Sequence, residues 1–116
     1  MSYVDGFVVA VPAANKDAYR AMAADAAALF KEFGASRVVE CWGDDVPDGK
    51  ITDFRGAVKA EEGEEIVFAW IEFPSREVRD AVHARMKTDE RTKAFMNMPF
   101  DGKRMIFGGF STILDT

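Results

Sequence analysis

Two stretches of this chain are apolar almost without interruption, and they constrain its fold more than anything else in it. One is Phe7-Val8-Val9-Ala10-Val11; the other is Ile66-Val67-Phe68-Ala69-Trp70-Ile71. Read as strands, they send successive side chains to opposite faces, so each has to be covered on both sides. A third stretch behaves alike, with Phe107 and Ile113 alternating with Ile106 and Phe110. A sheet built from these strands needs a layer against each face.

The rest of the chain supplies one such layer. A strand over residues 3–11 ends at Pro12, which has no N–H for the ladder. Asn15 is then placed as N-cap, with Asp17 in the first turn, and Tyr19, Met22, Ala26, Leu29, Phe30 and Phe33 follow at helical spacing. Gly34 closes this helix as its C′ residue, and the alanine-rich run 21–28 gives it a thin flank able to lie close to a sheet. Residues 36–42 read as a second strand, 43–50 as a loop, 51–59 as extended chain and 65–73 as the third strand. Ser75 caps a second helix whose inner stripe is Val78, Ala81, Val82, Arg85 and Met86. A short helical piece from Thr88-Asp89-Glu90 carries Phe95 and Met96, residues 97–103 are loop, and 105–114 are a last strand holding Gly108-Gly109.

Strand, helix, strand, strand, helix, strand is the split βαβ, ferredoxin-like order of an α+β domain. It predicts one antiparallel sheet of spatial order 4-1-3-2 with both helices on a single face. The opposite face then carries an apolar patch above the roughly few hundred Å2 that monomers tolerate. A second copy packed sheet to sheet covers it, which predicts a homodimer. The competing arrangement is a monomer whose long middle loop covers part of the face.

Residues 1–116 make a single domain. Fifteen Lys and Arg against twenty Asp and Glu give a net charge of −5, which argues against a nucleic-acid partner and against a polybasic membrane-surface protein. No apolar run approaches the ~18 residues of a membrane span. Met1-Ser2-Tyr3-Val4-Asp5 has no basic stretch followed by an apolar one, so a cytoplasmic protein is expected. Cys41, the one cysteine, has no intramolecular disulfide partner.

Ser2-Tyr3-Val4-Asp5-Gly6-Phe7, the segment from Val39 through Glu40-Cys41-Trp42-Gly43 to Lys50, and Met98-Pro99-Phe100-Asp101-Gly102-Lys103-Arg104-Met105-Ile106 resemble the YbaA-like family of uncharacterised small bacterial proteins. The resemblance covers essentially the whole chain. It implies a dimeric α/β-barrel, two ferredoxin-like subunits joined through their sheets, and it implies no activity. The wider group of such barrels includes cofactor-free monooxygenases, dehydratases, isomerases and haem-handling proteins, which bear on this chain only as analogy of fold.

Several residues carry chemistry worth placing. If Phe7 and Val9 face Phe68 and Trp70, the same register sets Asp5 near Glu72, with Ser111 or Thr112 approaching from the fourth strand. Two carboxylates in one partly dry site push one pKa upward and make a base near neutrality; at a wet sheet rim they are simply solvated or paired. Trp42, Phe68, Trp70, Met105 and Phe107, with Phe110, Met96 and Met98, either line an apolar pocket or fill the core. Asp44-Asp45-Val46-Pro47-Asp48-Gly49-Lys50 offers three carboxylates but lacks the ligand order of a calcium loop. It reads as a structural turn at the dimer seam, with Gly49 taking a positive φ, and no metal is expected. Cys41 beside Trp42 reads as a buried structural thiol and His83 as a flank or surface residue. Three functions remain: binding of a small apolar or aromatic molecule without a cofactor, a monooxygenase-like or isomerase-like enzyme using a buried carboxylate, and a structural dimer.

Overall fold

The computed structural model describes residues 2–116. Strand β1 (Tyr3–Pro12) leads into helix α1 (Lys16–Phe33), which returns through β2 (Arg37–Trp42). A one-turn helix α2 (Phe54–Ala57) precedes β3 (Glu64–Phe73), then come helix α3 (Arg76–Thr88) and the last strand β4 (Ile106–Ser111). The sheet is antiparallel and ordered β2-β3-β1-β4, the order predicted from the sequence read from the other edge. An α+β domain with an open four-stranded sheet is what these elements build.

Local chemistry accounts for the boundaries. Ser75 Oγ accepts from the Val78 N–H at 3.2 Å and starts α3. Gly34 ends α1 at φ 138°, a conformation that costs a residue with a β-carbon; a β-carbon there would also lie 3.1 Å from Val78 and 3.3 Å from Val82. Asn15 holds the N-cap position but caps nothing, because its Nδ2 donates to the Pro99 carbonyl at 2.9 Å and ties the start of α1 to the loop before β4. Residues 54–57 coil instead of extending: the Asp53 carboxylate accepts from the N–H groups of Gly56 and Gly49 at 2.6 and 3.0 Å. Gly49 does not adopt a positive φ among the described residues, where Gly34 and Gly63 are the glycines that do. It is needed because the Thr52 carbonyl lies where a β-carbon would sit.

The β1–β3 register differs by one residue from the pairing expected. Phe7 lies opposite Ala69, and Val8 opposite Phe68. A slip of one moves a whole side-chain set to the other face. Phe7, Val9, Val67 and Ala69 therefore face the helices, while Phe68, Trp70, Val8, Gly6 and Val4 lie on the helix-free side. Under α1, the residues Val9, Val11, Tyr19, Ala23, Val67 and Ala69 form one buried cluster; Ala35, Ile71, Phe73 and Val82 form another under α3. Ala81, expected inside, is exposed.

The helix-free face is covered in part. The segment after β2 returns across it and packs Val46, Val58 and Ala60 on Val8, Ala10 and Ile66. Phe54 meets the edge of Phe68 with ring centres 6.1 Å apart. Beyond that cover Phe68, Ile106 and Phe110 are 47%, 45% and 60% exposed.

Gly34→Ala is expected to destabilise the chain by about 1–3 kcal/mol through the positive φ and the collision with α3. Urea denaturation of the two proteins checks this, with the same slope and a lower midpoint expected for the variant.

Candidate functional site

Helices α1 and α3 do not close completely on the sheet. Between them lies a cavity of about 320 Å3, walled by Met22, Phe30, Ile71, Met86, Phe95 and Phe100 among others. Ala23, Ala26 and Ala27 of α1 also line it. The alanine run that reads as a thin flank for close packing thus leaves room where larger side chains would fill the space. The outer wall comes from the segment between α3 and β4. Arg91 anchors one end of it, donating to Glu32 at 2.6 Å and to Asp89 at 2.9 Å. At the other end Arg104 makes a two-pronged pair with Glu64 at 2.7 and 2.8 Å.

Two polar groups interrupt this apolar lining. Asp5, on the helix face of β1, is 9% exposed and the one buried charged residue among those described. Its Oδ1 accepts from Arg79 Nε at 2.9 Å, and its Oδ2 lies 2.5 Å from His83 Nε2. A buried carboxylate needs such partners, since an unpaired one is costly. Arg79 and His83 stand one turn apart on α3, so a single helix face delivers both. Arg79 also lies over the Tyr3 ring, 5.3 Å from its centre. Gly109, paired with Asp5, leaves the space that the Tyr3 hydroxyl and the Arg79 guanidinium occupy. The β1–β4 register runs without a break through Gly108 and Gly109, so the glycines mark close approach and not a bulge.

The second polar group pairs the two ends of another contact. Tyr19, buried on α1, donates its hydroxyl to Glu40 Oε1 at 2.6 Å. Glu40 belongs to the edge strand β2 and is exposed as a residue, but its carboxyl turns inward to Tyr19. Burial there raises the Glu40 pKa, with the Tyr19 hydrogen bond working the other way. Burial first, then the neighbouring carboxylate, hold the Tyr19 phenol protonated far above its ordinary range. The cavity therefore has a carboxylate–imidazole contact and a carboxyl–phenol contact in its wall.

The residues singled out from sequence fall into different places. Asp5 and Glu72 do not meet: Val4, not Asp5, pairs with Glu72, and the two acids point to opposite faces. Glu72 accepts from Trp70 Nε1 at 2.9 Å and lies 3.6 Å from Arg37 on the helix-free side. Ser111 pairs with Tyr3, and the Thr112 hydroxyl accepts from Ser2, so neither joins Asp5. Met105 and Phe107 line the cavity, Phe68 and Trp70 lie on the bare sheet face, and Trp42 walls a smaller pocket beside Lys16. Cys41, expected to be buried, is exposed, because it pairs with Phe68 on the helix-free side of the edge strand β2. Within the loop, Asp44, Asp45, Pro47 and Lys50 are exposed, and no group of three His, Cys, Asp or Glu among the described residues is placed to hold a metal ion. His83 and Arg79 are what sequence reading missed. Their signal was present, as two basic side chains at i and i+4 beside an apolar stripe, but the partner is 74 residues away from Arg79.

A family model described as "Protein of unknown function (DUF1428)" matches residues 2–102. "Uncharacterized protein YbaA" of Escherichia coli (strain K12) is 72% identical over 116 residues, covering 99% of this chain and 99% of that protein. The protein of the same name in Shigella flexneri matches with the same identity and coverage.

Glu40→Gln tests the electrostatics of the cavity wall. Because burial raises the folded-state pKa above that of an ordinary glutamate, ionising Glu40 opposes folding. That cost is absent below the unfolded value, grows as pH rises towards the folded value, and is complete above it. The variant is expected to melt about 2 °C higher than the parent at pH 7 and equally with it at pH 4. Thermal melts across that range check the sign.

Proposed function

The chain belongs to the DUF1428 family, whose description carries no activity, and from its geometry we propose a homodimer that binds a small, largely apolar molecule between sheet and helices and moves a proton on it. One observation carries this reading: the Asp5–His83 contact in the wall of a largely apolar cavity of about 320 Å3. Pockets of small organic ligands begin at roughly this size and combine apolar walls with few polar groups. Asp5 serves as the group that orients the ring, not as the base. When Nε2 donates to Asp5, the lone pair sits on Nδ1, and the imidazole is a neutral base backed by a carboxylate. The matching reaction class is proton abstraction beside a carbonyl. The C–H bond breaks, its proton goes to His83, its electron pair passes to the carbonyl oxygen, and return of the proton closes the cycle with no cofactor.

A second copy of the chain is the proposed partner of the helix-free face. Phe68, Trp70, Ile106 and Phe110 surround a floor formed by Gly6 and Gly108, and the hollow carries no charged lining residue. Such a face is desolvated well by its own copy across a two-fold axis. The middle segment covers one end only, which leaves this surface for the partner. Arg37 and Glu72 then fall at the rim of the seam, where a polar pair tolerates water.

Light scattering on the purified protein is expected to give two chains per particle at micromolar concentration, and Phe110→Asp is expected to give one. A wild type with one chain per particle overturns the dimer. For the site, solvent-deuterium exchange into the methylene group of phenylacetone, followed by NMR, reads proton abstraction directly. Exchange is expected with the wild type and about 10²-fold or more slower with His83→Ala. Phenylacetone binding without any exchange removes the proton transfer and leaves a binding protein; a dimer that binds no such probe leaves a structural one.

A further inference from the structure

Beside the inner cavity lies a second, outer pocket of about 220 Å3 between α1 and β2. The two share Tyr19, Ala23 and Glu40 in their walls. The Tyr19–Glu40 contact therefore borders both compartments. Lys16 and Arg20, one turn apart on α1, line the outer one together with Trp42. The Lys16 ammonium stands 5.4 Å from the centre of the Trp42 ring, which favours a cation over the pocket wall. Neither Lys16 nor Arg20 makes an ion pair among the described residues, whereas three arginines on the other elements are engaged: Arg79 with Asp5, Arg91 with Glu32, Arg104 with Glu64. In a chain of net charge −5, two cations against the single carboxylate of Glu40 leave this concavity with a local excess of positive charge that attracts an anion.

We infer that the outer pocket holds the carboxylate of the same ligand whose apolar body fills the inner cavity, so that the molecule bound is a small amphipathic carboxylic acid spanning both compartments beside the Tyr19–Glu40 contact. The inference rests on the proposed function and narrows its substrate class. The apolar lining of the inner compartment selects the tail, and Lys16 and Arg20 select the head. Glu40 is the one carboxylate in the outer wall, and the Tyr19 hydroxyl engages it. The head group consequently sits towards the two cations and away from Glu40. An acid bound this way brings its tail towards the Asp5–His83 end.

Calorimetric titration with 4-phenylbutanoate and its uncharged isostere 4-phenylbutanamide tests this. The acid is expected to bind about tenfold more tightly than the amide at low ionic strength, with the preference shrinking in 0.5 M salt. Lys16→Gln combined with Arg20→Gln is expected to remove the preference while leaving amide binding as it was; Glu40→Gln is expected to enlarge it. Ala26→Phe, which fills the inner compartment, is expected to weaken both ligands alike. Equal binding of acid and amide by the wild type, or a preference that survives in the double variant, overturns the head-group assignment while the cavity reading stands. Failure of both ligands to bind overturns the two together.

Discussion

The pairing of β1 with β3 is the constraint on which the rest of this protein depends. Ten residue pairs run from Tyr3 with Phe73 to Pro12 with Glu64, and their register decides which side of the sheet every central side chain occupies. Shifted by one, Asp5 and Glu72 would be paired on one face, so that either Asp5 would leave the helix layer or Glu72 would enter it. Burial fixes the choice. Val9, Val11, Val67 and Ala69 have almost no exposure under α1, and only this register puts all four there together.

From that register the polar features follow as necessities. Asp5 is carried into the helix layer because the strand alternates, and a carboxylate in that layer needs cationic and donor partners. Helix α3 supplies them from one face through Arg79 and His83, and Gly109 on the neighbouring strand gives up its side chain to make room. The same alternation places Glu40 inward on β2, where the Tyr19 hydroxyl meets it. Two protonic groups in a cavity lined with Met, Phe and Ala are thus the consequence of where the strands put their odd-numbered and even-numbered residues. Whether such groups serve stability or chemistry is decided by the space between them, and the alanines of α1 leave that space open.

The helix-free face has a different logic. The segment between β2 and β3 protects the end of the sheet near Ala10 and Ile66, using Val46 and Val58 as a small lid. It does not reach Phe110. Coverage by this segment and coverage by the proposed second copy would therefore be complementary, each dealing with its own half of the sheet. The aromatic residues expected to line a single pocket divide between these surfaces: Phe68 and Trp70 to the bare face, Met105 and Phe107 to the helix side.

Strand positions, the two long helices, the cap at Ser75, the helix end at Gly34 and the sheet order were all legible in the residues, because each depends on local spacing or on a connection rule that leaves few alternatives. Periodicity also announced that both sheet faces are apolar. It did not fix the register, since Phe7 and Phe68 satisfy an alternating pattern equally well in either phase. It misplaced residues 51–59 as extended because the Asp53 carboxylate, by gathering two backbone N–H groups, overrides the weak propensities there. The meeting of Asp5 with His83, 78 residues apart, and the cavity beside them belong to the tertiary structure alone. Contacts between distant segments arise from how helices settle on a sheet, and no spacing along the chain encodes that distance.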